Sequence, residues 1–274
     1  ISPFFLLYAV FGVYPLLNGL GTAATVKDSF AGLENFRQVF QDKMFWTAIQ
    51  NALVYMLGSI FIILPVALGA ALLLSSQRIG RMRALSSTIY FFPNVTSVLV
   101  VGIVFKLLLK TNHGTFNEML LGLHLIDKPL KFLADPNLAM PSLLLVCTWR
   151  YFGINALYFL SGLQGIPEEL CEAARIDGAS EWRMVWSIAL PLAQPVLITL
   201  CIMNFLTIYN DFIWPLLMLI SKDLYTVTII LQSYGGDISA AMAGYVVASL
   251  PILIVFSYGM DYYVEGLTSG AVRA

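Results

Sequence analysis

Only 11% of these 274 residues are charged, against about 25% in an ordinary soluble domain, while 59% are hydrophobic, so the chain lacks the polar surface to coat a globule. A mean hydropathy of +0.81 makes a bilayer its natural solvent. The net charge of −1 excludes the basic footprint that nucleic-acid binding requires.

A membrane-spanning helix takes about 20 mostly apolar residues, and six runs of the chain qualify. The first, Pro3 to Leu20, reads as a span and not as a signal peptide, because apolar segments continue to the far end. A start at Ile1 instead of Met is expected of a chain with a further N-terminal tail. Thr22 to Lys43 follows, with a short amphipathic helix expected at Gly32-Leu33-Glu34-Asn35-Phe36 and beyond. The second run is Phe45 to Leu74, long enough to tilt or to extend past the bilayer. Gln77 to Arg83 is a tight basic loop carrying Arg78, Arg81 and Arg83. The third run, Leu85 to Leu109, leads into a Gly/Pro-punctuated loop, Lys110 to Asn137. The fourth run is Leu138 to Leu160, the fifth Leu190 to Ile220, and the sixth Ala241 to Val264. Between the fourth and fifth lies a charged insert. Ser221 to Ala240, with Gly235-Gly236, reads as a polar loop before the sixth, and Gly266 to Ala274 as a tail. The expected fold is all-α: a single polytopic transmembrane domain over residues 1–274.

Six spans put both ends on one side of the membrane. A count of Lys and Arg leaves the orientation open, with eight residues on the side of Lys27 and Lys110 and six on the side of Arg78. The Arg78–Arg83 loop is the shortest and densest, which favours it as cytoplasmic.

Chemistry residues are sparse. Cys147, Cys171 and Cys201 have no CxxC spacing, and His113 and His124 read as solvated loop residues, so no metal site is expected. The chain lacks a G-x-x-x-x-G-K-[ST] run for nucleotide phosphates, and no catalytic constellation converges.

The insert, residues 163–190, is the most informative stretch. Pro167 suits a first helical position, and Glu168 and Glu169 suit the positive end of a helix dipole. Leu170, Ala173 and Ala174, spaced i, i+3, i+4, form one shallow apolar face. Gly178 is a helix stop if it takes positive φ, and Ser180 can cap a second helix from Glu181 to Leu190. The expected product is a helix–Gly–helix elbow parallel to the membrane. Its acids, Glu168, Glu169, Glu172, Asp177 and Glu181, outweigh Arg175 and Arg183 to a net of −3. An anionic leaflet repels such a segment, so a protein partner fits better than a lipid surface.

Glu172-Ala173-Ala174, Gly178, Ile188, Leu190 and Pro191 stand at the spacing of the EAA signature. With Ile166-Pro167 and Asp177-Gly178-Ala179-Ser180 they make the chain resemble permease subunits of binding-protein-dependent ABC importers, in particular the maltose and glycerol-phosphate type. Gly114-Thr115-Phe116-Asn117 is similar to the F-type partner of the maltose system. Tyr209-Asn210-Asp211-Phe212-Ile213-Trp214-Pro215 and the tail from Glu265 are similar to the G-type partner, so features of both halves are mixed. The resemblance implies six spans in the cytoplasmic (inner) membrane and a second permease subunit beside this chain. It also implies a pair of cytoplasmic ATPase subunits carrying ATP-Mg, and an extracytoplasmic solute-binding protein. No cofactor is implied on this chain. The insert becomes a cytoplasmic coupling helix, contacting the ATPase through Glu169, Leu170, Glu172, Ala173, Ala174, Asp177 and Gly178.

Polar residues inside spans either bind neighbouring helices or line a path. Asn94, Tyr151, Asn155, Asn204, Tyr209 and Asn210 are the candidates for a polar, aromatic solute path. By the resemblance, Asp211, Trp214, Tyr234 and Gly235 are candidates for contact with the binding protein. The alternative to an ATP-driven sugar importer is an ion-driven secondary carrier, which needs buried mid-span acids and has no use for the insert.

Overall fold

The computed structural model describes residues 2–26, 29–30, 32–75, 83–234 and 236–271. Arg78, Arg81 and Gly235 lie outside the described residues. Among the described residues, four continuous helices are long and apolar enough to cross a membrane, and two bent pairs bring the number to as many as six if each pair counts as one span. The chain is nearly all helical. Among the described residues, strand is confined to a short ribbon in which β1 (Thr25–Val26) pairs antiparallel with β2 (Ser29–Phe30).

The first span, α1 (Pro3–Ala23), contains a π-helical turn at Ala9–Val13 and keeps nearly all of its side chains exposed, as a lipid-facing helix does. The surface helix α2 (Glu34–Gln41) forms where Glu34-Asn35-Phe36 promised it. Buried Asn35 anchors it by donating to the carbonyls of Ala23 and Thr25 at 2.8 and 2.7 Å. The second span, α3 (Lys43–Ser75), packs along the fourth, α7 (Pro136–Gln164), through the largest helix interface of the chain. Small residues let the two backbones approach: Ala48, Ala52, Ala67 and Ala71 on α3, Ala139 and Ala156 on α7. Helix α7 starts where Asp135 accepts from the Asn137 amide at 2.8 Å, with Pro136 in the first turn.

The third span is not straight. It consists of α4 (Arg83–Val95) and α5 (Val98–Leu108), which meet at 96° across Thr96 and Ser97, where the backbone leaves the helical conformation. The fifth run also divides, and earlier than hydropathy implies. Its helix α10 (Gln194–Tyr209) stops at Asn210, and α11 (Ile213–Met218) begins after a break. The loop expected between residues 110 and 137 holds α6 (Thr115–Gly122). The segment expected as a polar loop before the sixth span holds α12 (Val227–Ser233), whose Val227, Ile229, Ile230 and Leu231 are buried. The sixth span runs through α13 (Ile238–Ala271). Two apolar clusters form the core, one centred on α3, α7, α10 and α13, the other on the inner halves of α3 and α7.

Candidate functional site

The elbow consists of α8 (Glu168–Ile176) and α9 (Glu181–Leu192), the second containing a π-helical turn at Val185–Ala189. Gly178 sits at φ +77, a left-handed conformation open to glycine at little cost. There its amide donates to the Arg175 carbonyl at 3.0 Å, and the Ala179 amide reaches back to Ala174 at 2.9 Å. These two bonds are the Schellman closure of a helix end, and they turn the chain sharply. Ser180 then accepts from the Arg183 amide at 3.3 Å and starts α9. A 69° bend at Ala193 carries α9 into α10.

Glu169, Leu170, Glu172, Ala173, Asp177 and Gly178 are exposed on this elbow, and Ala174 is half-buried. Sequence reasoning missed three further side chains: Ile176, Trp182 and Trp186 are 85%, 73% and 67% exposed. Two tryptophans inside a net-acidic segment were the available signal. These apolar groups stand exposed beside the carboxylates of the elbow.

Around the bend of the third span, Arg150 of α7 is only 7% exposed. Its guanidinium donates to the Pro93 carbonyl and, at 2.6 Å, to the Thr96 carbonyl. No carboxylate among the described residues lies within ion-pair distance of it. Its counter-charge is the carbonyl end of α4, the negative pole of that helix. One turn along α7, Gly153 lies directly under Tyr90.

The six path candidates divide. Asn155 and Asn204 are buried and bond to each other, at 2.7 and 3.3 Å, while also donating to the carbonyls of Tyr151 and Leu200. Tyr209 is buried and donates to the Ala248 carbonyl at 2.9 Å. In this conformation these three fasten α10 to α7 and α13 and do not face open space. Asn94 and Tyr151 are half-buried, and Asn210 is exposed beside the break in the fifth run, donating to the Leu206 carbonyl at 2.8 Å. If the Asn pair is a fastener, Asn155→Ala and Asn204→Ala each strand a buried amide. A double-mutant cycle in thermal unfolding is then expected to return a coupling of about 0.6–1.7 kcal/mol.

Of the four binding-protein candidates, the three described ones, Asp211, Trp214 and Tyr234, follow α10 at the end opposite the elbow. Asp211 fills the break after α10: it accepts from the Tyr55 hydroxyl at 2.9 Å and from the Trp214 amide at 3.3 Å, and its carbonyl accepts from Thr228. The Tyr55 oxygen also lies 2.7 Å from the Cys147 sulfur. Trp214 is fully buried. Tyr234 donates to Asp42. Burial, reinforced by that carboxylate, raises the Tyr234 phenol above the ordinary tyrosine value. Asp211, Trp214 and Tyr234 thus brace the segments that follow α10 against α3 and its preceding loop.

The sequence profile of the family described as the binding-protein-dependent transport system inner membrane component matches residues 63–268. The chain belongs to this family. Among its relatives is the lactose transport system permease protein LacF of Rhizobium radiobacter, 31% identical over 202 residues, covering 72% of this chain and 67% of LacF. Another is the arabinooligosaccharides transport system permease protein AraP of Bacillus subtilis (strain 168), 34% identical over 199 residues, covering 71% of this chain and 63% of AraP. The chain spans about two thirds of the length of these curated relatives. Its fold matches that of a chain in the crystal structure of a bacterial ABC transporter involved in the import of the acidic polysaccharide alginate. The TM-score is 0.85 at 21% identity, covering 96% of this chain and 93% of that one. Membership in this inner-membrane family replaces the ion-driven carrier, and the matched residues include the elbow.

Proposed function

We propose that this chain is the membrane-spanning subunit of an ATP-driven importer that moves an oligosaccharide or similar polar solute into the cytoplasm. It pairs with a second permease subunit, receives solute from an extracytoplasmic binding protein, and is driven by two cytoplasmic ATPase subunits. ATP-Mg bound on those subunits supplies the free energy; this chain has no phosphate-binding loop of its own. The observation that carries the reading is the elbow, with Glu172 exposed on α8 and Gly178 fixing the turn into α9. Closure of the ATPase pair moves the elbow as a rigid arm, and α9 passes the motion through the 69° bend to α10. Asn94, Tyr151 and Asn210 are the path candidates with exposed surface, and Asn155, Asn204 and Tyr209 hold the helices that flank them. The sugar class rests on the lactose and arabinooligosaccharide systems to which the relatives belong, and on the aromatic and amide groups at this level of the bundle.

The test is Glu172→Lys in the assembled complex in proteoliposomes. Transport is expected to fall roughly tenfold or more, equivalent to about 1.4 kcal/mol of lost coupling contact. The yield of folded subunit stays near wild type, because Glu172 is exposed. Undiminished transport by this variant overturns the coupling role.

A further inference from the structure

At the end of α5 distant from the elbow, a cavity of about 410 Å³ opens on the surface of the chain. Its walls combine two kinds of group. Ile103, Leu107 and Ile220 are apolar and exposed. Lys106 and Lys110, one helical turn apart, and Thr111 form a polar rim where α5 ends. The gradient follows the helix axis. Leu99, Ile103 and Leu107, spaced i, i+4, i+8, make an exposed apolar stripe that climbs α5 from mid-membrane to the cationic rim.

The two ammonium groups are uncommitted. Neither lysine has a carboxylate within ion-pair distance among the described residues. Two acids of the same loop region are engaged elsewhere: Glu118 faces His113 at 3.6 Å, and Asp135 caps α7. The rim is rigid, since Asn117 donates to the carbonyls of Lys110, Thr111 and Leu130 and accepts from the Leu130 amide. The Lys106–Lys110 spacing is therefore fixed by the backbone and not by a mobile loop.

We propose that this cavity is a binding site for an anionic phospholipid of the extracytoplasmic leaflet, with its phosphate between Lys106 and Lys110 and an acyl chain along Leu99, Ile103 and Leu107. A soluble anion would satisfy the lysines but would leave the apolar stripe to bulk lipid. A neutral lipid would cover the stripe but would leave two cations uncompensated at the membrane edge. One molecule that carries both features matches the whole surface. The site lies on the broken third span, next to Ile220 beyond α11, so its occupant bridges two segments that follow breaks in the bundle.

The experiment uses the assembled transporter in nanodiscs of phosphatidylcholine containing phosphatidylglycerol, and native mass spectrometry counts the retained lipids. The wild-type complex is expected to retain phosphatidylglycerol in preference to phosphatidylcholine. The Lys106→Gln/Lys110→Gln double variant is expected to lose that preference about thirtyfold, near fivefold per lysine. A control with the same charge change at two exposed residues that do not line the cavity, Arg37→Gln/Lys43→Gln, is expected to keep it. Three results overturn the site: no preference in the wild type, an undiminished preference in the double variant, or an equal loss in the control. If the double variant weakens capture of the soluble binding protein and leaves lipid retention unchanged, the lysines serve an acidic protein surface and the lipid assignment fails.

Discussion

Arg150→Met is expected to destabilise the folded subunit by about 3 kcal/mol or more and to abolish transport. A charge-assisted hydrogen bond contributes about 1.5–3 kcal/mol, and Arg150 makes two of them to the carbonyls of Pro93 and Thr96. Those carbonyls lose their helical partners where the third span turns through 96°. In a soluble protein, water would take them. Inside a bilayer each unpaired group costs several kcal/mol, so the bend and the guanidinium depend on each other. Arg150→Lys tests the geometry as well as the charge. A lysine keeps the cation but cannot present the planar fork, so it is expected to recover only part of the thermal stability. A distance measurement between spin labels on α4 and α5 separates this positioning role from general packing. The bend angle should relax in the Met variant and broaden in the Lys variant. An unchanged label distance in a folded Met variant contradicts it.

Gly153→Ala is expected to be the second severe substitution. A Cβ at this position would overlap the Tyr90 carbonyl oxygen and sit 2.6 Å from its carbon. Both are backbone atoms of α4, so no side-chain rotation relieves the overlap and the helices must separate. Overpacking of this kind costs about 1–3 kcal/mol, and a shift of α4 also draws the two carbonyls away from Arg150. Two other glycines calibrate the measurement. Gly58→Ala meets only the Leu144 side chain, at 3.1 Å, and is expected to cost less than Gly153→Ala. Gly69→Ala meets nothing within 4 Å and is expected to stabilise α3 by about 0.5–1 kcal/mol. Thermal unfolding of the three variants in detergent gives the order directly. A Gly153→Ala variant as stable as Gly69→Ala contradicts the close approach.

The elbow was legible in the sequence because its determinants are local. Pro167, Gly178 and Ser180 each act within a turn of their own position, and the structure uses Gly178 and Ser180 in the roles their chemistry implies. The four continuous spans were legible for a similar reason: a bilayer selects on length and hydropathy alone. The bends were not. Pro93 warns of a kink, but the freed carbonyls at the 96° bend are taken up by Arg150, which lies 57 residues further along the chain. The early stop of α10 was hidden because Phe212 to Ile220 remains as apolar as a span. What ends the helix is Asp211, held by Tyr55 from α3. The buried face of α12 was read as polar loop because Gly235, Gly236 and the charges of Lys222 and Asp223 flank a run of only seven helical residues. Asn155 and Asn204 looked like solute ligands for the same reason that they make good fasteners. A buried amide needs partners, and hydropathy does not reveal whether the partner is a sugar or another asparagine.

Transport depends on what grips the elbow. A photo-crosslinking amino acid at Ile176, the most exposed apolar position of α8, measures this directly in membranes of cells that express the whole transporter. The predicted result is covalent capture of a nucleotide-hydrolysing subunit from the cytoplasmic side, with the yield changing when ATP is bound. Capture of lipid alone, or reaction of this position with a membrane-impermeant reagent added outside the cell, would contradict it.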